Sequence, residues 1–257
     1  MRPGKDGFSL EQQEACNAWD ALCLDTSANS MLQRIGQKDG NDVNKEEMKT
    51  LIGIFSGIFF RTSSADDHIK VSFRWRDWRD TPRHLGRYRY FAKGLLPMIK
   101  MCTFNQVGAK GYGSLNGVAL DRLATILHEL VHAYLDYYAC RCEEILDSFE
   151  TNVKQSRGHG HACQRIANSI ERAAPEILGY PLDLTRFVPL TNMLAWKSLK
   201  HWPSQEEVES WQLVYRVYGR TEEEEEDNSS VLNTPPRSSL EMHRPVDRVS
   251  GEEGVEK

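Results

Sequence analysis

The stretch Leu127-His128-Glu129-Leu130-Val131-His132-Ala133-Tyr134 decides how this chain folds and which chemistry it can perform. It contains the pattern HExxH, in which two histidines stand four residues apart and a glutamate follows the first. Residues four apart lie on one face of an α-helix, so both imidazoles can bind a single metal ion. Glu129 lies about 100° around the helix, where its carboxylate can accept a proton from a metal-bound water without being a ligand. The pattern predicts a metal site with a general base beside it.

The residues around the motif predict that it lies on a helix. From Val118 to about Cys142 there is no glycine or proline, and apolar residues recur at helical spacing. Such a helix is apolar around most of its circumference, and two unpaired imidazoles buried in it would be unfavourable. We therefore expect His128 and His132 to share a metal ion and not to be ordinary core histidines.

A catalytic zinc site normally has three protein ligands and keeps a fourth position for water or substrate, so a third ligand is expected downstream. A metzincin would continue with glycine at position 135 and histidine at 138, where this chain has Leu135 and Tyr138. That class is excluded. A thermolysin-like site would instead use a glutamate from a following helix. Glu171 is the best placed, ahead of Glu143, Glu144 and Glu150.

His159 is the stronger candidate for the third ligand. Gly158 and Gly160 flank it and would let the backbone approach a metal, and a helical stretch from about His161 to Leu178 follows. His161 stands two residues further on and competes for the same role. We favour His159 of the two, with Glu171 as the alternative.

The string HELVHAY followed by GHG and a predicted helix resembles the SprT-like (Spartan-type) zinc metallopeptidases. The likeness includes an upstream LGR turn at Leu85-Gly86-Arg87 and covers about residues 45–180. It implies a zincin-like α+β fold, in which a small antiparallel sheet packs on the HExxH helix and additional helices surround it. It also implies an intracellular zinc endopeptidase, with a nuclear location and action on DNA-bound or DNA-crosslinked proteins.

The resemblance implies a role for each motif residue. His128, His132 and His159 would bind Zn²⁺, and Glu129 would be the catalytic residue that activates water. Zinc would also polarise the scissile carbonyl. Since the chain contains no CxxC pair from which a zinc ribbon could be built, we expect one zinc ion.

A sheet is predicted upstream of the motif. Val71, Phe73 and Trp75 alternate with polar neighbours, and a second strand is expected from about Met98 to Phe104. We expect these strands to form a small antiparallel sheet beside the motif helix. An edge strand of that sheet could pair with an extended substrate.

Residues 70–93 combine basic and aromatic side chains, the combination that single-stranded nucleic acid binding requires. Eight are basic and six are aromatic, against Asp77 and Asp80. The sequence therefore predicts single-stranded DNA as a partner through Lys70–Lys93. The alternative is a half-buried hairpin with aromatics in the core and arginines in solvent. The basic residues are Lys70, Arg74, Arg76, Arg79, Arg83, Arg87, Arg89 and Lys93; the aromatic ones are Phe73, Trp75, Trp78, Tyr88, Tyr90 and Phe91.

Four regions are predicted along the chain. Residues 1–44 form an N-terminal extension with a helix from Ser9 to about Leu24 and a linker; residues 45–180 form the peptidase domain. Residues 181–220 form a C-terminal extension in which Ser204 and Glu207 make a capping box. Residues 221–257 hold 11 acidic and 4 basic side chains, a net charge of −7, so residues 1–220 carry +2 of the total of −5. This acidic tail is predicted to be disordered.

The six cysteines have no disulfide-framework spacing, and the first residues lack a signal peptide, so we expect an intracellular protein. The longest apolar run, Leu51 to Phe60, is too short for a membrane span and is predicted to be a core helix. A second hypothesis about function is a DNA-associated zinc-binding protein with little or no peptidase activity. Glu129 argues against it, because a structural zinc site does not need that carboxylate.

Overall fold

The computed structural model describes residues 7–37, 42–60, 69–78, 85–89, 96–103, 111–139, 142, 158–187 and 204–213. The elements follow in the order α1 (Leu10–Leu24), α2 (Met31–Ile35), α3 (Lys45–Phe59), β1 (Ser72–Arg76), β2 (Gly86–Arg89), β3 (Met98–Cys102), α4 (Gly117–Tyr138), α5 (His161–Ile177) and α6 (Gln205–Ser210). The fold is therefore mixed α+β with a small three-stranded sheet. The predictions about Glu143, Glu144, Glu150, much of the basic segment and the tail 221–257 lie outside the described residues.

Side chains define where most of these helices begin. Ser9, Asn44 and Ser204 each cap a helix in a capping box, completed by Gln12, Glu47 and Glu207 respectively. Such caps satisfy backbone N–H groups that have no partner inside the helix. The predicted helix starts near Ser9 and Ser204 are confirmed, as are the motif helix and the helix after His161. The core helix predicted from Leu51 to Phe60 is also confirmed and ends at Phe59.

The sheet has the order β1-β3-β2 and mixed strand directions. β1 pairs with β3 in parallel, and β2 pairs with β3 antiparallel. The prediction of a purely antiparallel sheet is wrong, because β2 comes between the other two in sequence but lies on the far side of β3. Two reversals of direction then leave β1 and β3 running the same way.

The two faces of this sheet have opposite character. Phe73 of β1 and Ile99 and Met101 of β3 are buried on the inner face, which packs against α3 and α4. On the outer face, Arg74 and Arg87 both pair in register with Lys100, so three cations form one row across the three strands. Successive side chains of a strand point to opposite faces, and this alternation separates the aromatic from the basic residues.

Helix α4 lies against the sheet, α2, α3 and α5. Fifteen of its 22 residues are buried, which matches the prediction of a helix apolar around most of its circumference. Its start is fixed by Asn116, whose side chain caps Ala119 and donates to the Gly36 carbonyl. Arg122, also buried, donates to the carbonyls of Ile35, Gln37 and Thr103.

Helix α1 packs into the same hydrophobic core as α3 and α4. Trp19 has no exposed surface, contacts Phe55 and Tyr180, and donates its indole N–H to the carbonyl of Leu178 at the end of α5. Within the described part of the chain, no helix combines the length and the apolar character that crossing a membrane requires.

Candidate metal centre

The three histidines of HExxH and GHG come together at one point. His128 Nε2 lies 3.0 Å from His159 Nε2 and 3.1 Å from His132 Nε2, and the third distance is 3.3 Å. At most one of the three Nε2 atoms can carry a proton that points at this place, so at least two unprotonated nitrogens face one another. A shared cation would relieve their repulsion. Among the described residues, these three histidines form the group that could hold a metal ion.

His128 is fixed in the form that a metal ligand needs. Its Nδ1 lies 2.8 Å from the carbonyl oxygen of Leu184. A carbonyl only accepts, so Nδ1 carries the proton and donates it, which leaves the Nε2 lone pair directed at the other two histidines. The backbone of Leu184 thus sets the tautomer and the orientation of the ring.

His132 is held by the glycine that precedes the third histidine. Gly158 has φ of +89°, a conformation that favours glycine, and a Cβ at this position would come within 2.9 Å of His132 Nδ1. The backbone of Gly158 also hydrogen-bonds to His132. Gly158 therefore both permits the turn that presents His159 and leaves room for the neighbouring ring.

Burial keeps the two motif histidines neutral. It lowers the pKa of His128, an effect that the hydrogen bond to Leu184 partly opposes. The pKa of His132 is well below its usual value, because of burial and of repulsion from the other two imidazoles. Since neutral imidazole is the form that binds metals, both rings are ready to act as ligands at neutral pH.

The side chain of Glu129 extends from α4 to strand β2. It is 5% exposed, and its carboxylate accepts a hydrogen bond from the backbone N–H of Tyr88. Burial raises the pKa of Glu129 to about 8, against smaller opposing effects of Tyr88 and of the charge of Arg87. Gly86 allows this close approach, because a Cβ there would lie 2.4 Å from Thr125 Cγ2 and 2.8 Å from Glu129 Oε1.

Glu171, the alternative third ligand, is engaged elsewhere. One of its oxygens accepts the backbone N–H of Leu184, and the other accepts two hydrogen bonds from Arg186. It is 1% exposed and forms a buried ion pair. This arrangement favours His159 over Glu171 in the group that could hold a metal.

His161, the other alternative, also has different partners. Its Nε2 is paired with Glu207 of α6, and its ring makes an edge contact with Trp211 at a centroid distance of 4.9 Å. His161 thus connects α5 to the C-terminal segment. Tyr134, which the motif places next to the site, packs between Phe60 and Tyr138 in the core.

Sequence reasoning missed the residues that support the ligands. Leu184 acts through its backbone, which carries no side-chain signal, and Arg186 is recognised only once its partner Glu171 is known. The sequence predicts Gly86 in an LGR turn, but Gly86 is the first residue of strand β2, and its contact with Glu129 follows from the packing of β2 on α4. Comparisons with protein-family models, with curated proteins and with solved structures found no match to this chain.

Proposed function

We propose that this protein is a zinc-dependent endopeptidase of the SprT-like type. One observation carries the proposal: three histidine Nε2 atoms converge within 3.3 Å of one another, and a buried glutamate follows the first of these histidines in the helix. A triad of neutral imidazoles with a nearby carboxylate that is not a ligand is the donor set of a hydrolytic metal site.

The donor set and its spacing fit zinc. Imidazole nitrogens bind zinc at about 2.0–2.1 Å, and tetrahedral geometry then places two ligands roughly 3.3 Å apart. The Nε2 atoms of His128, His132 and His159 are 3.0–3.3 Å apart. Three protein ligands leave a fourth position for water or substrate, as catalysis requires.

The proposed mechanism divides the chemistry between the metal and Glu129. Zinc, when bound, would lower the pKa of a coordinated water and polarise the carbonyl of the scissile bond. Glu129 would accept the proton of that water and pass it to the nitrogen of the leaving amine as the peptide bond breaks. Burial raises the pKa of Glu129 to about 8 in the metal-free protein. A bound cation would favour the charged carboxylate, which is the form that accepts the proton.

Strand β2 is the proposed site where substrate binds. β2 is an edge strand, and one of its sides has no neighbouring strand among the described residues. The backbone N–H of Tyr88 in β2 bonds to Glu129, so this strand runs beside the proposed catalytic residue. An extended peptide can add to such an edge by main-chain hydrogen bonds, which depend little on side chains. We therefore propose that β2, and not β1, aligns the scissile bond.

The outer face of the sheet supports a second proposal, a nucleic-acid partner. Arg74, Arg76, Arg87 and Arg89 lie around Lys100, and burial together with their repulsion lowers the pKa of this lysine. The aromatic residues within the strands lie on the other face: Phe73 is buried on the inner side, the indole N–H of Trp75 donates to the carbonyl of Val43, and the hydroxyl of Tyr88 donates to Asp136. The face therefore suits the phosphates of a nucleic acid better than stacking of its bases.

Zinc content and cleavage together test the peptidase proposal. We expect one zinc ion per wild-type chain, loss of zinc in His159→Ala, and zinc without cleavage in Glu129→Gln. Cleavage is measured as self-cleavage and on a DNA-binding protein, with and without single-stranded DNA.

Retention of zinc by His159→Ala but not by Glu171→Ala would favour the thermolysin-like alternative. Zinc without cleavage in the wild type would favour the DNA-associated binding protein, and absence of zinc would reject all three.

A further inference from the structure

The segment after α5 passes beside the metal centre and touches it through one residue. Leu184 accepts the Nδ1–H of His128 on its carbonyl at 2.8 Å and donates its own N–H to Glu171 Oε1, also at 2.8 Å. The same residue therefore bonds to a proposed metal ligand and to a buried carboxylate. Any movement of Leu184 would change the orientation of the His128 ring.

Glu171 is in turn held by Arg186. The guanidinium donates from Nε at 2.9 Å and from a terminal nitrogen at 2.6 Å to one carboxylate oxygen, and both side chains are at most 2% exposed. Arg186 also donates to the carbonyl of Trp211 and to the side chain of Asn168. Glu171 on α5 thus holds the later segment at two points, at the N–H of Leu184 and at the side chain of Arg186.

The backbone between these two anchors is strained. Thr185 has φ of +53°, in the left-handed region that residues with a Cβ adopt only at a cost. Its N–H is bonded to Asp183 Oδ1. This conformation of Thr185 lets the carbonyl of Leu184 reach His128 while Arg186, two residues after Leu184, reaches Glu171. Surrounding interactions must therefore hold Thr185 in place.

We propose that the Glu171–Arg186 ion pair is a positioning device, which holds the Leu184 backbone so that its carbonyl orients His128 as a metal ligand. The inference rests on the proposed function, since it assigns a support to one of the proposed zinc ligands. Stability alone does not account for the pair, because apolar residues of similar size often replace a buried ion pair without loss of stability. Groups that orient a ligating histidine, by contrast, control metal affinity directly.

The test uses a variant designed to keep the fold while removing the ion pair. Glu171→Met combined with Arg186→Met deletes both charges together, so no buried charge is left unpaired. It also removes the acceptor for the Leu184 N–H. The matched control is Arg34→Met combined with Glu47→Met, which removes the ion pair that joins α2 to the start of α3.

Two readouts follow metal binding without peptidase activity. The Kd for Zn²⁺ is measured by competition with a chromophoric chelator, and the visible spectrum of Co²⁺ bound in place of zinc reports ligand geometry. We expect the Glu171/Arg186 double variant to bind Zn²⁺ about tenfold or more weakly than wild type and to show an altered Co²⁺ spectrum. The Arg34/Glu47 double variant is expected to match wild type in both.

Each outcome has a distinct meaning. Equal Zn²⁺ affinity and equal Co²⁺ spectra in all three proteins would overturn the positioning role while leaving the peptidase proposal intact. Equal weakening in both double variants would also overturn it, since loss of any arginine–glutamate pair would then suffice. A wild-type protein that binds no Zn²⁺ would overturn the proposed function itself. Urea unfolding of the metal-free proteins identifies a variant that does not fold, and Arg186→Lys then replaces the double variant with the same expectations.

Discussion

Two buried glutamates on neighbouring helices differ in what surrounds them. Glu129 of α4 is 5% exposed and has the backbone N–H of Tyr88 as a donor, and burial raises its pKa to about 8. Glu171 of α5 is 1% exposed and is paired with the guanidinium of Arg186. A buried carboxylate that is paired with its own cation serves structure. One held mainly by apolar surroundings exchanges a proton easily, which suits a general base.

The largest expected effect comes from breaking the charged pair on one side only. Glu171→Gln leaves the guanidinium of Arg186 buried without a counter-charge, and such a change costs about 3–5 kcal/mol of unfolding free energy. Urea unfolding of the metal-free protein at pH 7 measures it. If the unfolding free energy fell by less than about 1 kcal/mol, water or another group would be compensating the charge of Arg186. Glu171 and Glu129 would then not differ in their dependence on a paired cation.

Glu129→Gln should raise the free energy of unfolding at pH 7, whereas Glu171→Gln should lower it. Below pH 4.5, Glu129 is protonated in both the folded and the unfolded protein. Between pH 4.5 and about 8 it is protonated in the folded protein alone. The free energy of unfolding of the wild type therefore falls as pH rises through this range. The slope is at most ~1.4 kcal/mol per pH unit. Glu129→Gln removes this slope and is expected to be more stable than wild type at pH 7. Urea unfolding of metal-free proteins at pH 5 and 7.5 checks both statements, and parallel profiles would contradict them.

A smaller effect should come from the glycine that lets β2 approach Glu129. In Gly86→Ala the new methyl group would overlap Thr125 and the Glu129 carboxylate, which forces the strand away from α4. Overpacking of this kind costs about 1–3 kcal/mol. We expect the variant to keep its zinc but to lose cleavage more than stability, as seen by comparing kcat/KM with the urea midpoint. Gly53→Ala is a suitable control, since a Cβ there meets nothing within 4 Å.

The smallest effects are expected on the outer face of the sheet, where charges are exposed. Arg74→Glu and Arg87→Glu should weaken DNA binding and reduce the slope of log K against log salt by about 1 for each phosphate that the protein no longer binds. Lys49→Glu on α3 changes charge equally away from the sheet and should leave the slope unchanged. Fluorescence anisotropy with single-stranded and double-stranded DNA measures both. Unchanged affinity at low salt would reject this face as a nucleic-acid surface.

Local patterns predicted the parts of the fold that depend on neighbouring residues. Helical spacing predicted α4, and a capping box predicted the start of α6. The glycines beside His159 predicted a close approach of the backbone, and Gly158 has the positive φ that favours glycine. Each of these signals concerns residues a few positions apart, and short-range physics decides them.

The parts that sequence did not predict depend on the return of distant chain segments. The parallel pairing of β1 with β3 follows from strand order, which no single strand encodes. The contact of Leu184 with His128 joins residues 56 positions apart through a backbone carbonyl. The sequence left two alternatives for the basic and aromatic segment, and the burial of Phe73 beside exposed Arg74 matches the one with aromatic residues in the core and arginines in solvent.

The bond between Leu184 and His128 also orders events during synthesis. The HExxH residues leave the ribosome first, and the carbonyl that orients the first histidine follows 56 residues later. At roughly 5–20 residues per second, that interval is on the order of 3–11 s. A nascent chain therefore carries the HExxH motif for seconds before it contains the carbonyl that orients the first histidine.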